Sequence, residues 1–405
     1  MHCVEEIKNG IYWVGCNDFR TELFERIFPL PQGVTYNTYF FDDEKTCLID
    51  AMDKSCRDEF LEDVEYLLKG RKLDYFVIQH MEPDHASSAL ALLEKYPEAK
   101  IVGQPSTFKL FEQFFRHPMP DRYMTVNEGD QLKLGKHTLQ FIKAPMVHWP
   151  EVIMTYDVTD HVLFSADAFG HFGTVGNVFA DQADFEENYL DEARRYYVNI
   201  VGKYGPQVMN VLKKASKLPI DVICPLHGPV WRDDFPYLLD KYQRWSTYTP
   251  EEKGVLIAYS SMYGNTEAAA QNLASKLCEK GVTNIRVCDV SSTHVSELIS
   301  QTFKLSHLVL ASVTYNLGIY PVMLDFLEHM KALHVQKRTI ALIENGSWAV
   351  KSGDLMQEFI DNNLADMTIL NERLSLASAM HDDKAVELEH LADALVESIN
   401  NTDVK

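Results

Sequence analysis

The stretch Ile78-Gln79-His80-Met81-Glu82-Pro83-Asp84-His85 crowds two imidazoles and two carboxylates together between positions 80 and 85. The run from Asp74 to Ile78 before it reads as a buried strand. Ala86 onward, Ala-Ser-Ser-Ala-Leu-Ala-Leu-Leu-Glu, reads as an amphipathic helix. The cluster therefore occupies a strand-to-helix loop, where several side chains can converge on one cavity. Further donors follow apolar runs downstream: His148 after Leu139 to Met146, Asp167 after Val162-Leu163-Phe164, and His227 after Asp221 to Leu226. A lone histidine after a strand is usually a hydrogen-bonded core or cap residue. A four-member cluster coinciding with three more strand-end donors reverses that expectation. Nitrogen and oxygen donors together, with an aspartate able to bridge, describe a two-metal site.

At 405 residues the chain is long for one domain and comfortable for two, each with its own core. No apolar run is long enough to span a bilayer. The N-terminal Met-His-Cys-Val-Glu-Glu-Ile lacks the basic-then-apolar pattern of a secretion signal. A cytoplasmic protein is the expectation. A net charge of −21 would repel nucleic acid and anionic membrane, so neither is an expected partner. The cysteines (Cys3, Cys16, Cys47, Cys56, Cys224, Cys278, Cys288) are scattered without any Cys-x-x-Cys pair. That spacing argues against an iron–sulfur cluster, a zinc ribbon, a disulfide framework or a fused rubredoxin-type module, and predicts reduced thiols.

The polar stretch Tyr248-Thr-Pro-Glu-Glu-Lys-Gly254 follows a helical segment, Pro236 to Trp245, and precedes a new strand. It divides the chain into domains 1–250 and 254–405. In the first, Tyr12 to Gly15, Thr38 to Phe41 and Thr46 to Asp50 read as hairpin strands, followed by alternating strands and helices, which suits an αββα sandwich. In the second, strands at Val255 to Tyr259, Ile285 to Val290, Leu308 to Val313, Thr339 to Ile343 and Met367 to Leu370 alternate with helices near 266–279, 294–303, 321–333, 353–363 and 383–399. That alternation predicts an α/β, doubly wound five-stranded parallel sheet, whose ligand sits at the carboxyl ends of the strands.

Polar loops stand at those ends. Ser260-Ser261-Met262-Tyr263-Gly264-Asn265-Thr266 runs from strand directly into helix, and its hydroxyls, glycine and free helix amides suit a phosphate; a Ser/Gly-rich turn can also simply cap a helix. It has no lysine of the triphosphate-binding type. Ser312-Val313-Thr314-Tyr315-Asn316-Leu317-Gly318 and Glu344-Asn345-Gly346-Ser347-Trp348 each add a glycine and an aromatic, the combination a flat isoalloxazine needs for its face and polar edge. An ordinary surface aromatic is the lesser, alternative reading of Tyr315 and Trp348.

The first cluster resembles the metallo-β-lactamase superfamily loop His-x-His-x-Asp-His, with Glu82 standing where that family has its second histidine. A hard oxygen donor there favours iron or manganese redox chemistry over a zinc-hydroxide hydrolase. The first polar loop resembles the phosphate loop of flavodoxins. The two halves together resemble the flavodiiron protein family in its short form, without fused rubredoxin. The resemblance covers essentially the whole chain through His80-Met-Glu82-Pro-Asp84-His85, Pro145-Met-Val-His148-Trp-Pro, Ser165-Ala-Asp167-Ala-Phe-Gly, His227-Gly-Pro-Val-Trp and Tyr36-Asn37. It implies one iron on His80, Glu82 and His148, a second on Asp84, His85 and His227, and Asp167 bridging them.

The resemblance also implies FMN on Ser260, Met262, Gly264, Asn265, Thr266, Ser312, Thr314, Tyr315, Asn316, Gly318, Asn345, Gly346, Ser347 and Trp348. Tyr197, in Arg-Arg-Tyr-Tyr-Val-Asn, looks like the family's tyrosine behind the metals, and a plain helix-face aromatic is the other reading. Several relatives carry histidine where Leu23-Phe24-Glu25 has Glu25, which alters the surroundings of the metals. The implied activity is reduction of dioxygen to water, nitric oxide to nitrous oxide, or both, protecting an anaerobic or microaerobic cell. An external rubredoxin is the implied donor. With the metal ligands in one domain and the flavin loops in the other, a head-to-tail homodimer or dimer of dimers is the expected assembly. A zinc hydrolase and a non-enzymatic flavin electron carrier are the alternatives.

Overall fold

The computed structural model describes residues 2–404 and divides into two compact units, Met1–Tyr197 with Pro206–Tyr242, and Val198–Gly205 with Gln243–Lys405. In the first unit, β1 (Val4–Lys8) and β2 (Ile11–Asp18) lead to a small hairpin, β3 (Leu23–Phe24) and β4 (Phe28–Pro29). Next come β5 (Val34–Phe41), β6 (Cys47–Ile49), β7 (Tyr75–Val77), β8 (Lys100–Gly103) and β9 (Tyr123–Thr125). The first sheet has the order β1-β2-β5-β6-β7-β8-β9. A second is built in chain order from β10 (Gln131–Lys133), β11 (Thr138–Lys143), β12 (Ile153–Asp157), β13 (Val162–Phe164) and β14 (Val222–Cys224).

Alternate residues of each strand point to opposite faces. Ile11 and Trp13 of β2 with Tyr39 and Phe41 of β5 thus share one buried cluster with Leu139 and Phe141 of β11 and with Phe164 and Cys224 of the second sheet. The helix Arg57–Leu68 buries Phe60, Val64, Leu67 and Leu68, spaced along a single helical stripe. This is the expected αββα sandwich.

The second unit carries β15 (Glu252–Ser260), β16 (Ile285–Asp289), β17 (Leu305–Tyr315), the short β18 (Gly318–Ile319), β19 (Thr339–Gly346) and β20 (Thr368–Ala377). Its parallel order, β16-β15-β17-β19-β20, is the flavodoxin-like arrangement, with β18 turning back on β17. Helices Asn265–Glu279, Val295–Lys304, Pro321–Ala332, Ser352–Asn363 and Ala385–Asn401 alternate with the strands. Continuous apolar runs such as Val255 to Ala258 are buried throughout, as a sheet covered on both faces requires. Strand β20 outruns the expected Met367 to Leu370 because Asn371, Glu372 and Arg373 continue it along a partly exposed edge, where polar residues are tolerated.

Two sequence expectations need correction. The helix expected from Ala86 starts earlier, at Pro83–Ala86, and resumes as Ala89–Lys95. Proline at the first helical position is pre-organised for that start, so Asp84 and His85 stand on a helical turn rather than in open loop. The cysteines are not all reduced: Cys16 of β2 and Cys56, just before the helix Arg57–Leu68, form a disulfide with Cα atoms 6.3 Å apart. A pairing across 40 residues of intervening fold leaves no mark in cysteine spacing. Among the described residues no helix is long and apolar enough to cross a membrane.

Candidate metal centre and cofactor loops

The ends of β6 and β7 set the first donors. Asp50, in left-handed backbone just past β6, accepts hydrogen bonds from Gln79 N at 2.8 Å, Gln79 Nε2 at 3.0 Å and His80 N at 3.3 Å, which fixes the chain as it leaves β7. The His80 ring is held by Glu151, whose Oε1 accepts from His80 Nδ1 at 2.8 Å and from Met81 N at 3.0 Å. His227 Nδ1 donates to the Thr35 carbonyl at 2.8 Å. Both rings therefore present Nε2 to the cluster, the usual way a histidine ligand is oriented through its other nitrogen. Glu151 escaped the sequence reading although it lies three residues after His148; its full burial is the property that marks it.

The donors form two groups that share Asp167. Asp167 Oδ2 lies 3.2 Å from His80 Nε2 and 3.2 Å from His148 Nε2, and Glu82 Oε2 lies 3.1 and 3.0 Å from the same two nitrogens. On the other side Asp167 Oδ1 lies 3.0 Å from His85 Nε2 and 3.8 Å from His227 Nε2, each of which is 3.2 Å from Asp84 Oδ2. Each group fits within 4.8 Å. Donor atoms gathered on one cation at about 2.1 Å stand roughly 3 Å apart, so these separations suit coordination.

Asp84 Oδ1 and Oδ2, His85 Nε2, His148 Nε2, Asp167 Oδ1 and His227 Nε2 are buried without a hydrogen bond, despite their short separations. Buried polar atoms left this way cost about 1–3 kcal/mol each, more when charged. Two cations satisfy all of them at once, so the residues fit a pair of metals.

The electrostatics agree with that fit. Burial opposes charge on His85, but Asp84 and Asp167 raise it to about 9; burial likewise opposes charge on His148, and Asp167 and Glu82 raise it to about 9. Burial would push the carboxyl of Asp167 up, yet His85, His80 and His148 hold it well below the usual carboxylate range. Glu82 is held down in the same way by His148 and His80. Without metal, protons on the imidazoles take the place of cations.

Of the two residues expected behind the metals, Glu25 lies beside Glu82 and the tyrosine is placed differently. The adjacent Tyr196 and Tyr197 pack against different neighbours. It is Tyr196 that lies 5.4 Å, ring to ring, from His227, with its hydroxyl buried and without a hydrogen bond. Tyr197 packs edge-on against Tyr242 at 5.0 Å. Glu25, in left-handed backbone between β3 and β4, hydrogen-bonds Glu82; burial and then that carboxylate raise it to about 8. A cavity of about 720 Å³ opens here, with Arg20, Glu25, Tyr36, Lys54, Glu82 and Asp84 in its wall. Gly228, at φ +76°, makes the turn after His227 with the His171 ring where a Cβ would stand, 2.5 Å away, so no other residue fits.

In the second unit the three expected loops meet around one cavity of about 280 Å³ at the carboxyl end of the sheet. Met262, Asn265 and Thr266 come from the first loop, Thr314, Tyr315 and Asn316 from the second, and Asn345, Gly346, Ser347 and Trp348 from the third. Ser260 and Ser312 lie beneath, buried and joined Oγ to Oγ at 3.2 Å. Gly318 pairs with Tyr315 in the β17–β18 turn, and Gly264, at φ +87°, precedes the helix Asn265–Glu279. Ser261, Tyr263 and Ser378 also line the cavity and were not expected. Ser378 arrives through Asn345, whose Nδ2 donates to its carbonyl at 2.9 Å. Tyr263 and Trp348 are 87% and 78% exposed, so neither is a core residue. Flat rings beside hydroxyls and a helix N-terminus fit a phosphorylated aromatic cofactor.

Residues 34–228 match a family described as "ODP family beta lactamase". The rubredoxin-oxygen oxidoreductase of Megalodesulfovibrio gigas is 31% identical over 89% of this chain and 90% of its own length. The anaerobic nitric oxide reductase flavorubredoxin of Aliivibrio salmonicida is 31% identical over 84% of this chain and 69% of its own length. The solved flavodiiron protein of Giardia intestinalis superposes with a TM-score of 0.89 at 25% identity, covering 98% of both chains. With this fold, these donors and these relatives, the chain belongs to the flavodiiron protein family.

Proposed function

We propose that this chain is a flavodiiron reductase that reduces dioxygen to water, nitric oxide to nitrous oxide, or both. The observation that carries the reading is the sharing of Asp167 between two donor groups, one of which contains Glu82. His80, Glu82 and His148 would hold one iron and Asp84, His85 and His227 the other, with Asp167 shared between them. Two irons bound there would supply electrons and an open coordination position to a small diatomic substrate, and FMN in the three-loop cavity would replenish the electrons. Reduction of dioxygen to water takes four electrons, as many as two ferrous ions and a reduced flavin hold together.

The chain's own residues do the rest. Glu151 and the Thr35 carbonyl hold His80 and His227 in the orientation that presents Nε2. The carboxylates of Glu82, Asp84 and Asp167 balance the cationic charge. Glu25 stands at the cavity wall beside Glu82, and in the metal-free chain burial and that carboxylate raise its carboxyl to about 8. Thr266 and Asn265, at the start of the helix Asn265–Glu279, would take the cofactor phosphate, and Trp348 and Tyr315, in the same cavity lining, would border its ring.

We further propose a cytoplasmic enzyme supplied by an external rubredoxin-type donor, with the metal half at 1–250 and the flavin half at 254–405. The metal ligands and the flavin loops belong to separate units, so we take the working form to be a head-to-tail homodimer or a dimer of dimers, the flavin of one chain serving the irons of its partner. Metal analysis with a visible spectrum tests the reading: iron with flavin is expected. Zinc without flavin would mark a hydrolase, and flavin without metal an electron carrier. Stopped-flow oxidation of the reduced protein by each gas in parallel then decides between dioxygen and nitric oxide.

A further inference from the structure

We propose that Cys16 and Cys56 form a reversible thiol–disulfide switch beside the wall of the metal-centre cavity, opened by dithiol reductants.

The pair joins the chain just before one lining segment, Arg20 to Arg26, to the residue that follows the other, Asp53 to Ser55. Cys16 lies in β2 two residues before Asp18, a buried carboxylate that accepts from Arg20 N at 2.9 Å, Arg20 Nε at 3.0 Å, Thr21 Oγ1 at 2.8 Å and Ser55 Oγ at 2.8 Å. Cys56 closes the segment of Lys54 and Ser55, and Arg20 Nη2 donates to the Ser55 carbonyl at 2.7 Å. Residues 20–26 and 53–55 stand in the cavity wall with Glu82 and Asp84. Across the sheet, Cys16 is paired in register with Tyr36, whose ring lies 5.8 Å from that of His227. The cross-link therefore fastens the end of a cavity-wall segment to β2, the strand paired with the one that carries Tyr36 against a candidate ligand.

The pair is also built for exchange. Cys16 is half-buried and Cys56 fully buried, so an incoming thiolate meets the Cys16 sulfur and Cys56 is the leaving group. Cys56 is the N-cap of the helix Arg57–Leu68, and Arg20 Nη2 stands 3.8 Å from its sulfur. A helix N-terminus and a guanidinium both stabilise a thiolate, and a stabilised thiolate leaves faster. Asp18, which faces the same spot, is matched by its donors from Arg20, Thr21 and Ser55.

In the opening step a reductant thiolate attacks Cys16 Sγ, and the sulfur–sulfur bond breaks with its electron pair on Cys56 Sγ. The reductant's second thiol then displaces the Cys16 thiolate, leaving as a cyclic disulfide, and both cysteines take up protons. Two electrons pass from the dithiol to the pair, and a disulfide oxidant reverses the step. In the cytoplasmic setting proposed above, on which this argument leans, disulfides are characteristically transient and redox-sensing. Cys3 and Cys278, exposed and unpaired, and Cys47 and Cys224, buried and unpaired, provide controls within the same chain.

The test equilibrates the full-length holoprotein with reduced and oxidised dithiothreitol at varied ratios, quenches with acid, alkylates, and measures labelling of each cysteine-containing peptide by mass spectrometry. Thiol occupancy is read directly, so the outcome does not depend on which metal or flavin is bound. Cys16 and Cys56 are expected to gain label together in a single two-electron transition. Hydrogen exchange of residues 18–26 and 53–56 should quicken about tenfold on reduction while β6 to β8 stay unchanged. Cys56→Ser should let Cys16 form a mixed disulfide with oxidised glutathione, and Arg20→Ala should slow opening about tenfold. Two labelled thiols at every ratio, labelling only after denaturation, or opening without faster exchange at 18–26 would each overturn the proposal. If the serine variant fails to fold, the titration of the unmodified chain still decides.

Discussion

Glu151 supplies the sharpest test of how the metal centre is held. It is completely buried, its Oε1 accepts from His80 Nδ1 and Met81 N, and its Oε2 has no hydrogen bond. Burial pushes its carboxyl up, but the His80 imidazole and the Met81 amide bring it below the usual range, so it acts as a carboxylate. Glu151→Gln keeps the shape and one acceptor but removes the charge that makes His80 a strong donor. Loss of such an orienting partner costs about 10–100-fold in metal affinity, or about 1.4–2.8 kcal/mol. The loss should fall on the His80, Glu82, His148 side, because Glu151 touches none of Asp84, His85 or His227. Anaerobic ferrous titration against a competing chelator measures both steps. Unchanged affinity, or an equal loss at both sites, would refute the argument, and retained circular dichroism would show that the fold is not what changed.

Glu82→His restores a hydrolase-type loop and should raise zinc content at the expense of iron and abolish reductase activity; full iron with full turnover would count against the role of Glu82. Trp348→Ala should weaken flavin retention or shift its potential and leave iron content normal, since the residue lines the cavity of the second unit; a flavin titration that matches the unmodified chain removes Trp348 from the site. His85 and His148 of the metal-free protein sit at about 9, above the ordinary imidazole value, so they hold protons at neutral pH that a metal must displace. Affinity for the ion on Asp84, His85 and His227 should therefore climb about tenfold per pH unit from pH 7 and level off above about 9, and more steeply for the ion on His80 and His148, where His80 is raised as well, whereas stability of the apoprotein should fall as pH rises through these values; isothermal titration at several pH values checks the first. Mixing a His85→Asn chain with a Thr266→Arg chain under subunit exchange should restore activity in heterodimers, and verified heterodimers that stay inactive would speak against transfer between subunits.

Local pattern alone was enough to place most of this molecule. Donors following apolar runs, from His80 to His227, had to emerge at strand ends, because strand and loop are written in consecutive residues. The alternation after Gly254 likewise committed the second half to a parallel sheet with its polar loops at one edge. The tertiary structure decided what depends on partners far away in the chain. His80 is oriented by Glu151 71 residues on, and His227 by the Thr35 carbonyl 192 residues back, so neither orientation is visible in a window of sequence. Tyr196 rather than Tyr197 faces the cluster because helix phase selects one of two adjacent identical side chains, and only packing sets that phase. Cys16 and Cys56 meet because β2 and the start of the helix Arg57–Leu68 are brought side by side by the fold, a proximity that spacing does not encode.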